Sequence, residues 1–335
     1  MSDRIDAWTH IFPQAYFARL KTMASAAGPL RRWLELKSLY DLDHRFRLMD
    51  SFAGYRQLLT PSMPPIEDLA DGPHAVELMR LMNDGLAELV DRHRDRFPAF
   101  AAALSLHDVD AAIAEIGRAD AMGAAGFQLC THMRGIALDD PRFRPVFAEI
   151  ARRGLAIWLH PVRGPTPDYP TESKSRYEIW WCLGWPYDSS VAMARLVFSG
   201  LFDRHPDLKI ITHHMGAMIP YFEGRIVQGW GLEMGSRTPP ADADLLPGRL
   251  QKPAEDYFKM FLADTALSGA VGATRCGLDY FGADKVVFAS DFPFDAEGGS
   301  YLVRETIKAL DALGLTSAVR RRIDIENISG IIHRN

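Results

Sequence analysis

Eight short apolar stretches separated by longer amphipathic ones predict a closed α/β barrel, the (β/α)8 or TIM-barrel class. Three observations carry that expectation. The strand-like runs are rich in Val, Ile, Leu and Phe, and there are eight of them. The segments between them repeat apolar residues every three or four positions, as a helix covering a sheet requires. No GxGxxG follows an early strand, which counts against the alternative, an open doubly wound sheet.

In order, the strand candidates are "RIDAWTHIF" (4–12), "YRQLLTP" (55–61), "AFAAALSLH" (99–107), "GFQLCT" (126–131), "LAIWLHP" (155–161), "LKIITHH" (208–214), "MFLADT" (260–265) and "KVVFASD" (285–291). Amphipathic segments at 108–123, 142–154 and 189–202 read as covering helices. Asp108 and Asp110 open the first and Ser189 the third, as caps or dipole partners. Irregular excursions at 13–54, 162–187 and 231–256 each follow a strand's C-terminal end, the face on which such barrels build their sites. The Pro, Gly and Ser content of 163–178 and 233–248 marks these as lid or substrate loops rather than linkers. One domain, 1–335, is therefore expected, with C-terminal helices near 316–323 and 325–333 packed on the outside.

A formal net charge of −5 gives no footprint for nucleic acid or an anionic membrane surface. No apolar run approaches the roughly 20 residues that span a bilayer, and no signal-like stretch follows the charged start at Asp3, Arg4 and Asp6. Cys130, Cys182 and Cys276 stand without CxxC spacing, which fits a reducing compartment, so a cytoplasmic protein is expected. Neither Cys130 nor Cys182 has an activating base in its motif, so both read as core or pocket-lining thiols.

Chemistry concentrates at the strand ends. His10 lies near the end of strand 1, His160 ends strand 5, His213 and His214 end strand 6, and Asp291 ends strand 8. A barrel brings these ends to one mouth. Any one of them has a bland explanation, a satisfied core histidine or a helix-capping aspartate. The set does not, because ionisable groups in apolar strands are costly unless paired or metal-bound.

The spacing resembles the amidohydrolase superfamily, most closely its amidohydrolase-2 branch, the aminocarboxymuconate semialdehyde decarboxylase (ACMSD)-like family. "IDAWTHIFP" resembles the branch's IDxHxHxxP start and "RFRLMD" (45–50) its RIRxMD helix. "GFQLCTH" (126–132), "FRPVFAEIARRGLAIWLHP" (143–161), the run from "LGWPYDSS" to "HHMGAMIPYFEGRI" (183–226), "FLADTAL" (261–267) and "DKVVFASDFPF" (284–294) follow in the family's order. Together these cover almost the whole chain and specify the family, though not one substrate.

The resemblance implies a metal-dependent barrel enzyme holding one divalent ion, zinc first, with iron or manganese as alternatives. His10, His160 and Asp291 match the family's metal ligands, Asp291 sitting in an SDxP-like ending. His214 matches the histidine that serves the metal-bound water; His213 falls where the family usually has a small residue. Arg47, with Arg45 nearby, matches an arginine region that grips a carboxylate, a role suited to a planar fork. Trp181 resembles a pocket tryptophan, beside Trp180 and Trp185, and His132 a substrate-contacting histidine. Arg225 lies in a region that contributes to a dimer interface in some relatives, though ordinary salt bridging accounts for it as well; the resemblance itself implies a homodimer, or a mixed oligomer with a paralogous subunit.

Trp8 departs from this pattern. Residues i and i+2 of a strand share a face, so position 8 should carry a second ligand beside His10, and relatives have histidine or glutamate there. An indole cannot coordinate. Three readings stay open: His10, His160 and Asp291 hold the ion with water; His213 or His214 replaces the lost ligand; or the site is degenerate. In each, Trp8 would narrow the substrate pocket with an aromatic face. The function expected first is non-oxidative decarboxylation of a small aromatic or muconate-type acid, with His214 relaying protons. The alternatives are hydrolysis or hydration of a lactone or related carbonyl compound by metal-activated water, and a subunit of a metallo-oxygenase or a non-catalytic partner.

Overall fold

The computed structural model describes residues 3–23 and 31–333. Its barrel strands are Arg4–Ile11 (β1), Tyr55–Pro61 (β2), Ala101–Ala103 (β3), Gly126–Cys130 (β4), Ala156–His160 (β5), Ile210–Thr212 (β6), Leu262–Asp264 (β7) and Val286–Val287 (β8). All barrel pairings are parallel, with β1 on β2 and β3 through β8 in sequence order. Two junctions close the ring. Leu59 N–H donates to the Ala99 carbonyl at 3.1 Å between β2 and β3, and Ala7 N–H to the Phe288 carbonyl at 2.8 Å between β1 and β8. The expected (β/α)8 barrel is the observed fold.

Two apolar layers hold it. Phe127, Leu129, Ile157, Leu159 and Ile210 face the helices, while Ile5, Ala7, Trp8, Leu58, Ala101, Trp158, Ile211, Val287 and Ala289 fill the barrel. Trp158 and Trp8 are the largest fillers, and Gly126 makes room for Trp158. A Cβ at position 126 would meet the Trp158 ring at 2.7 Å and the Ala156 carbonyl oxygen at 2.0 Å.

One irregularity sets the site. β1 advances three residues, Asp6 to Thr9, while β2 advances two, Gln57 to Leu59. This bulge puts both Ala7 and Trp8 into the barrel and reverses the alternation beyond them. Strict alternation from Ile5 and Ala7 would turn Thr9 inward and His10 outward; the extra residue aims His10 at the mouth.

Some expectations need correction. Helix Gly184–Phe198 begins five residues before Ser189, which is buried inside it rather than capping it; Asp108 does cap Val109–Ala121, accepting from Ala111 N–H at 3.0 Å. Of the C-terminal helices, Ser317–Arg321 buries no residue, as an outer helix should, but Asn327–Ile332 does not lie on the flank. Ile328 and Ile331 join the interior cluster with Ile5, Ala99, Ala125 and Ala156, and Asn327 Nδ2 donates to the carbonyls of Ala283 and Val286 at 2.8 and 2.7 Å. This last helix closes the end of the barrel opposite the mouth, where apolar strand starts need a cover. No helix among the described residues is long and apolar enough to cross a membrane.

Candidate metal centre

Three imidazoles converge at the C-terminal mouth. His10, His160 and His213 each offer a nitrogen within 4.8 Å of the others, and His213, His214 and Asp291 form a second such group. His10 Nε2 and His213 Nε2 stand 3.3 and 3.4 Å from the same Asp291 Oδ1, and His214 Nε2 stands 3.9 Å from Oδ2. His10, His160 and His213 are buried, and His214 is partly open to the mouth.

Their outer nitrogens are committed. His10 Nδ1 lies 2.7 Å from the Pro61 carbonyl, and His160 Nδ1 lies 2.7 Å from that of Pro161. His213 Nδ1 donates to Asp264, whose other oxygen accepts the backbone N–H groups of Met215 and Ala266 at 3.1 and 3.0 Å. An acceptor behind Nδ1 fixes the tautomer that leaves Nε2 as a lone pair. His10 Nε2, His213 Nε2 and Asp291 Oδ1 are buried without a hydrogen-bond partner. Unsatisfied buried lone pairs aimed at one point are costly unless a cation takes them. The donors are imidazole nitrogens and one carboxylate, a set that fits a divalent first-row ion.

The electrostatics of the metal-free protein follow from the same contacts. Burial and the neighbouring His10 and His213 hold the His160 pKa well below the ordinary histidine value. Burial also lowers His214, with His213 adding to the effect. On Asp291 burial acts upward, but the close imidazoles of His10, His213 and His214 carry it well below the carboxylate range. Burial pushes His213 down too, yet Asp264 and Asp291 raise it to about 9. The backbone is strained where these groups sit. His214, Met215, Ala217 and Asp291 have φ of 55, 56, 56 and 66°, a left-handed region that costs non-glycine residues on the order of 1–3 kcal/mol each.

Aromatic walls flank the cluster. Trp8 stacks on His213 with centroids 4.1 Å apart and planes 21° apart, Phe294 lies 5.1 Å from His10, and Trp185 packs edge-on 5.9 Å from His160. Sequence reasoning chose Trp181, but the ring on the cluster is Trp185; Trp181 lies behind it, 6.4 Å away, with its indole N–H on Glu178. His132, on a short hairpin after β4, accepts from Gly135 N–H at 3.0 Å and lines a pocket with Glu67, Gln128 and Cys130. Burial raises the Cys130 thiol well above its usual range, while Cys182 is exposed, so the pocket-lining expectation holds for Cys130 alone.

The arginines differ most from expectation. Arg45 is wholly buried, donating to Gln57 Oε1 and to the carbonyls of His10 and Ser38, with its guanidinium over Phe292. Arg47 is exposed on the same helix, Leu42–Asp50. Two residues apart on a helix means about 200° of rotation, so the turn that buries Arg45 sends Arg47 to solvent. Phe294, Trp185 and Asp264 were not singled out in sequence; only Asp264, an acid ending the apolar run "FLADT", carried a signal.

A parallel barrel whose strand ends bring imidazoles and a carboxylate to one buried point defines a metal-dependent barrel enzyme. The chain matches the amidohydrolase family over residues 5–328. It is 32% identical over 300 residues to the gamma-resorcylate decarboxylase of Rhizobium radiobacter, covering 84% of this chain and 87% of that protein. Among solved structures, 2,6-dihydroxybenzoate decarboxylase complexed with 2,6-dihydroxybenzoate superposes with a TM-score of 0.78 at 26% identity, over 99% of both chains. The dihydroxybenzoic acid decarboxylase of Polaromonas sp. JS666, with bound manganese and the inhibitor 2-nitroresorcinol, shares the fold at a TM-score of 0.79 and 24% identity, over 99% and 97% of the chains. The chain belongs to the amidohydrolase family, in its ACMSD-like decarboxylase branch, and is a metal-dependent carbon–carbon lyase.

Proposed function

We infer that this enzyme removes carbon dioxide, without oxidation, from a small aromatic acid bearing a hydroxyl beside the carboxylate, the substrate type named for its relatives. The observation that carries the reading is the convergence of His10 Nε2, His213 Nε2 and Asp291 Oδ1, unpartnered, beside His160 and between aromatic rings.

His10, His160 and Asp291 would hold the ion. The imidazoles suit zinc, and manganese is carried by a structural relative. When bound, the ion neutralises and orients the substrate carboxylate. Neither Arg45 nor Arg47 competes for that role, since Arg45 is committed inside the protein and Arg47 faces solvent. Trp185 and Phe294 offer the ring its aromatic contacts, while Trp8, expected to narrow the pocket, is wholly buried against His213 and does not reach the substrate. His214, poised against Asp291 Oδ2, supplies a proton to the ring carbon that bears the carboxylate. As the C–C bond breaks, its electron pair returns to the ring and the carboxylate departs as carbon dioxide. The balance is one proton in and one carbon dioxide out. The enzyme acts in the cytoplasm as a homodimer on this reading. Support comes from its free cysteines and from an open cleft lined by Tyr187, Val191, Met218, Phe222, Trp230 and Arg225.

The test loads purified protein with zinc or manganese and follows carbon dioxide release from carboxyl-labelled 2,6-dihydroxybenzoate and related ortho-hydroxy acids. Metal-dependent release of label is expected. Hydrolysis of a lactone with no release from any of these acids would replace this reading with the hydrolase one.

A further inference from the structure

The tryptophan at position 8 removes a ligand, and the structure places a histidine against it. Trp8 and His213 are both fully buried and stacked face to face, at 4.1 Å and 21°. The bulge in β1 turns position 8 toward the cluster, where a side chain with a lone pair would have coordinated. His213 reaches the same point from β6. Alternation from Ile211, which faces the interior, turns residue 213 inward as well, because its backbone is still extended at φ −75° and ψ 156°.

We propose that His213 is the fourth protein ligand of the ion, taking the coordination place vacated at position 8, with Asp264 as its positioning residue. This rests on the metal-dependent reading above and gives it a donor set of three imidazoles and one carboxylate. Three features support it. His213 Nε2 has no partner and lies as close to Asp291 Oδ1 as His10 Nε2 does. Its Nδ1–H is spoken for by Asp264, giving the carboxylate–histidine–metal arrangement that orients ligands. Asp264 is itself pinned by the N–H groups of Met215 and Ala266, so the imidazole cannot swing away cheaply. His214 does not compete, since its Nε2 faces the other oxygen of Asp291. The indole then has a structural role, filling the space behind His213 and pressing the ring toward the centre.

The experiment measures zinc and manganese binding, by titration of metal-free protein and elemental analysis after dialysis, in the wild type, H160A, H213A, D264N and the double variant W8H/H213A. Circular dichroism of each metal-free protein checks folding. Wild type should hold one ion per chain, and H213A should lose at least 100-fold in affinity. D264N should lose 10–100-fold, with an altered cobalt(II) absorption spectrum, as expected for loss of an outer-shell partner. W8H/H213A should recover at least tenfold over H213A by returning an imidazole to β1. If H213A does not fold, D264N decides, and wild-type affinity together with a wild-type cobalt(II) spectrum in D264N overturns the proposal. Wild-type affinity in a folded H213A, with affinity lost in H160A, overturns this inference and leaves the metal-dependent reading standing. A wild-type protein that binds no ion overturns both.

Discussion

Asp6 is a buried carboxylate whose protonation should be visible in stability. It accepts the N–H groups of Ser290 and Trp8 at 3.0 and 3.2 Å, and the hydroxyls of Tyr55 and Ser290. These bonds tie β1 to the residue before Asp291, so Asp6 sets the distance between His10 and Asp291. Burial nevertheless outweighs its donors and raises its pKa from the ordinary 3.8 to about 6. A carboxyl that holds its proton more tightly folded than unfolded contributes stability in full below 3.8 and loses it as pH rises through about 6. At 1.36 kcal/mol per pH unit, the whole interval is worth about 3 kcal/mol. Asp6→Asn removes the titration while nearly keeping the shape. Its fixed cost, a side-chain N–H set against a donor, does not vary with pH. The difference in unfolding free energy, wild type minus variant, should therefore fall by roughly 2.5 kcal/mol between pH 4 and pH 7.5. Urea unfolding of both proteins at several pH values measures it, and differencing cancels the other titrating groups. A difference independent of pH would show that the four donors offset burial. A difference rising with pH would show that they overcome it, refuting the reasoning outright.

Other outcomes follow from the mouth. His214→Asn should keep the ion yet lose about 10²- to 10⁴-fold in turnover if His214 carries the proton; steady-state kinetics with elemental analysis separate the two. Trp185→Ala should raise KM about 2- to 13-fold, the loss of one ring contact of about 0.5–1.5 kcal/mol. Arg47→Ala should leave KM within twofold, and a large rise would restore Arg47 as a carboxylate grip.

The barrel could be read because its signal is local and repeated: apolar strands of period two and helices of period near 3.6 recur along the chain. Strand ends were the weak point. Residues 285–291 shrink to Val286–Val287 as a ladder, because beyond Val287 the chain hydrogen-bonds to Ile323 and β1 instead. The last helix looked like a flank helix since amphipathicity names an apolar face but not what covers it. At the site, His10, His160 and Asp291 stood out as polar residues ending apolar strands, and the structure brings them together. The choice between His213 and His214 depends on where extended backbone stops, which composition does not encode. Counting alternate residues from Ile211 would have found His213. The bulge at Ala7 and Trp8 left no mark in sequence, although it decides which way His10 points.

Consecutive histidines on an extended strand point to opposite faces, so a regular β6 could offer Asp291 only one of the two. The chain escapes this at His214, where φ turns to +55°, followed by +56° at Met215. The reversal folds the second ring back over the first, with centroids 3.8 Å apart, and each imidazole meets a different oxygen of one carboxylate. Asp291, itself held at +66°, thereby divides its contacts: Oδ1 faces Nε2 of His10 and of His213, and Oδ2 faces Nε2 of His214. Left-handed residues at this density cost several kcal/mol unless fixed by their surroundings. Asp264 supplies part of that fixing by binding the Met215 N–H inside the turn while it holds His213. The same carboxylate thus orients His213 and stabilises the strained turn that presents His214, so on the proposed roles a change at Asp264 should disturb ion binding and proton delivery together.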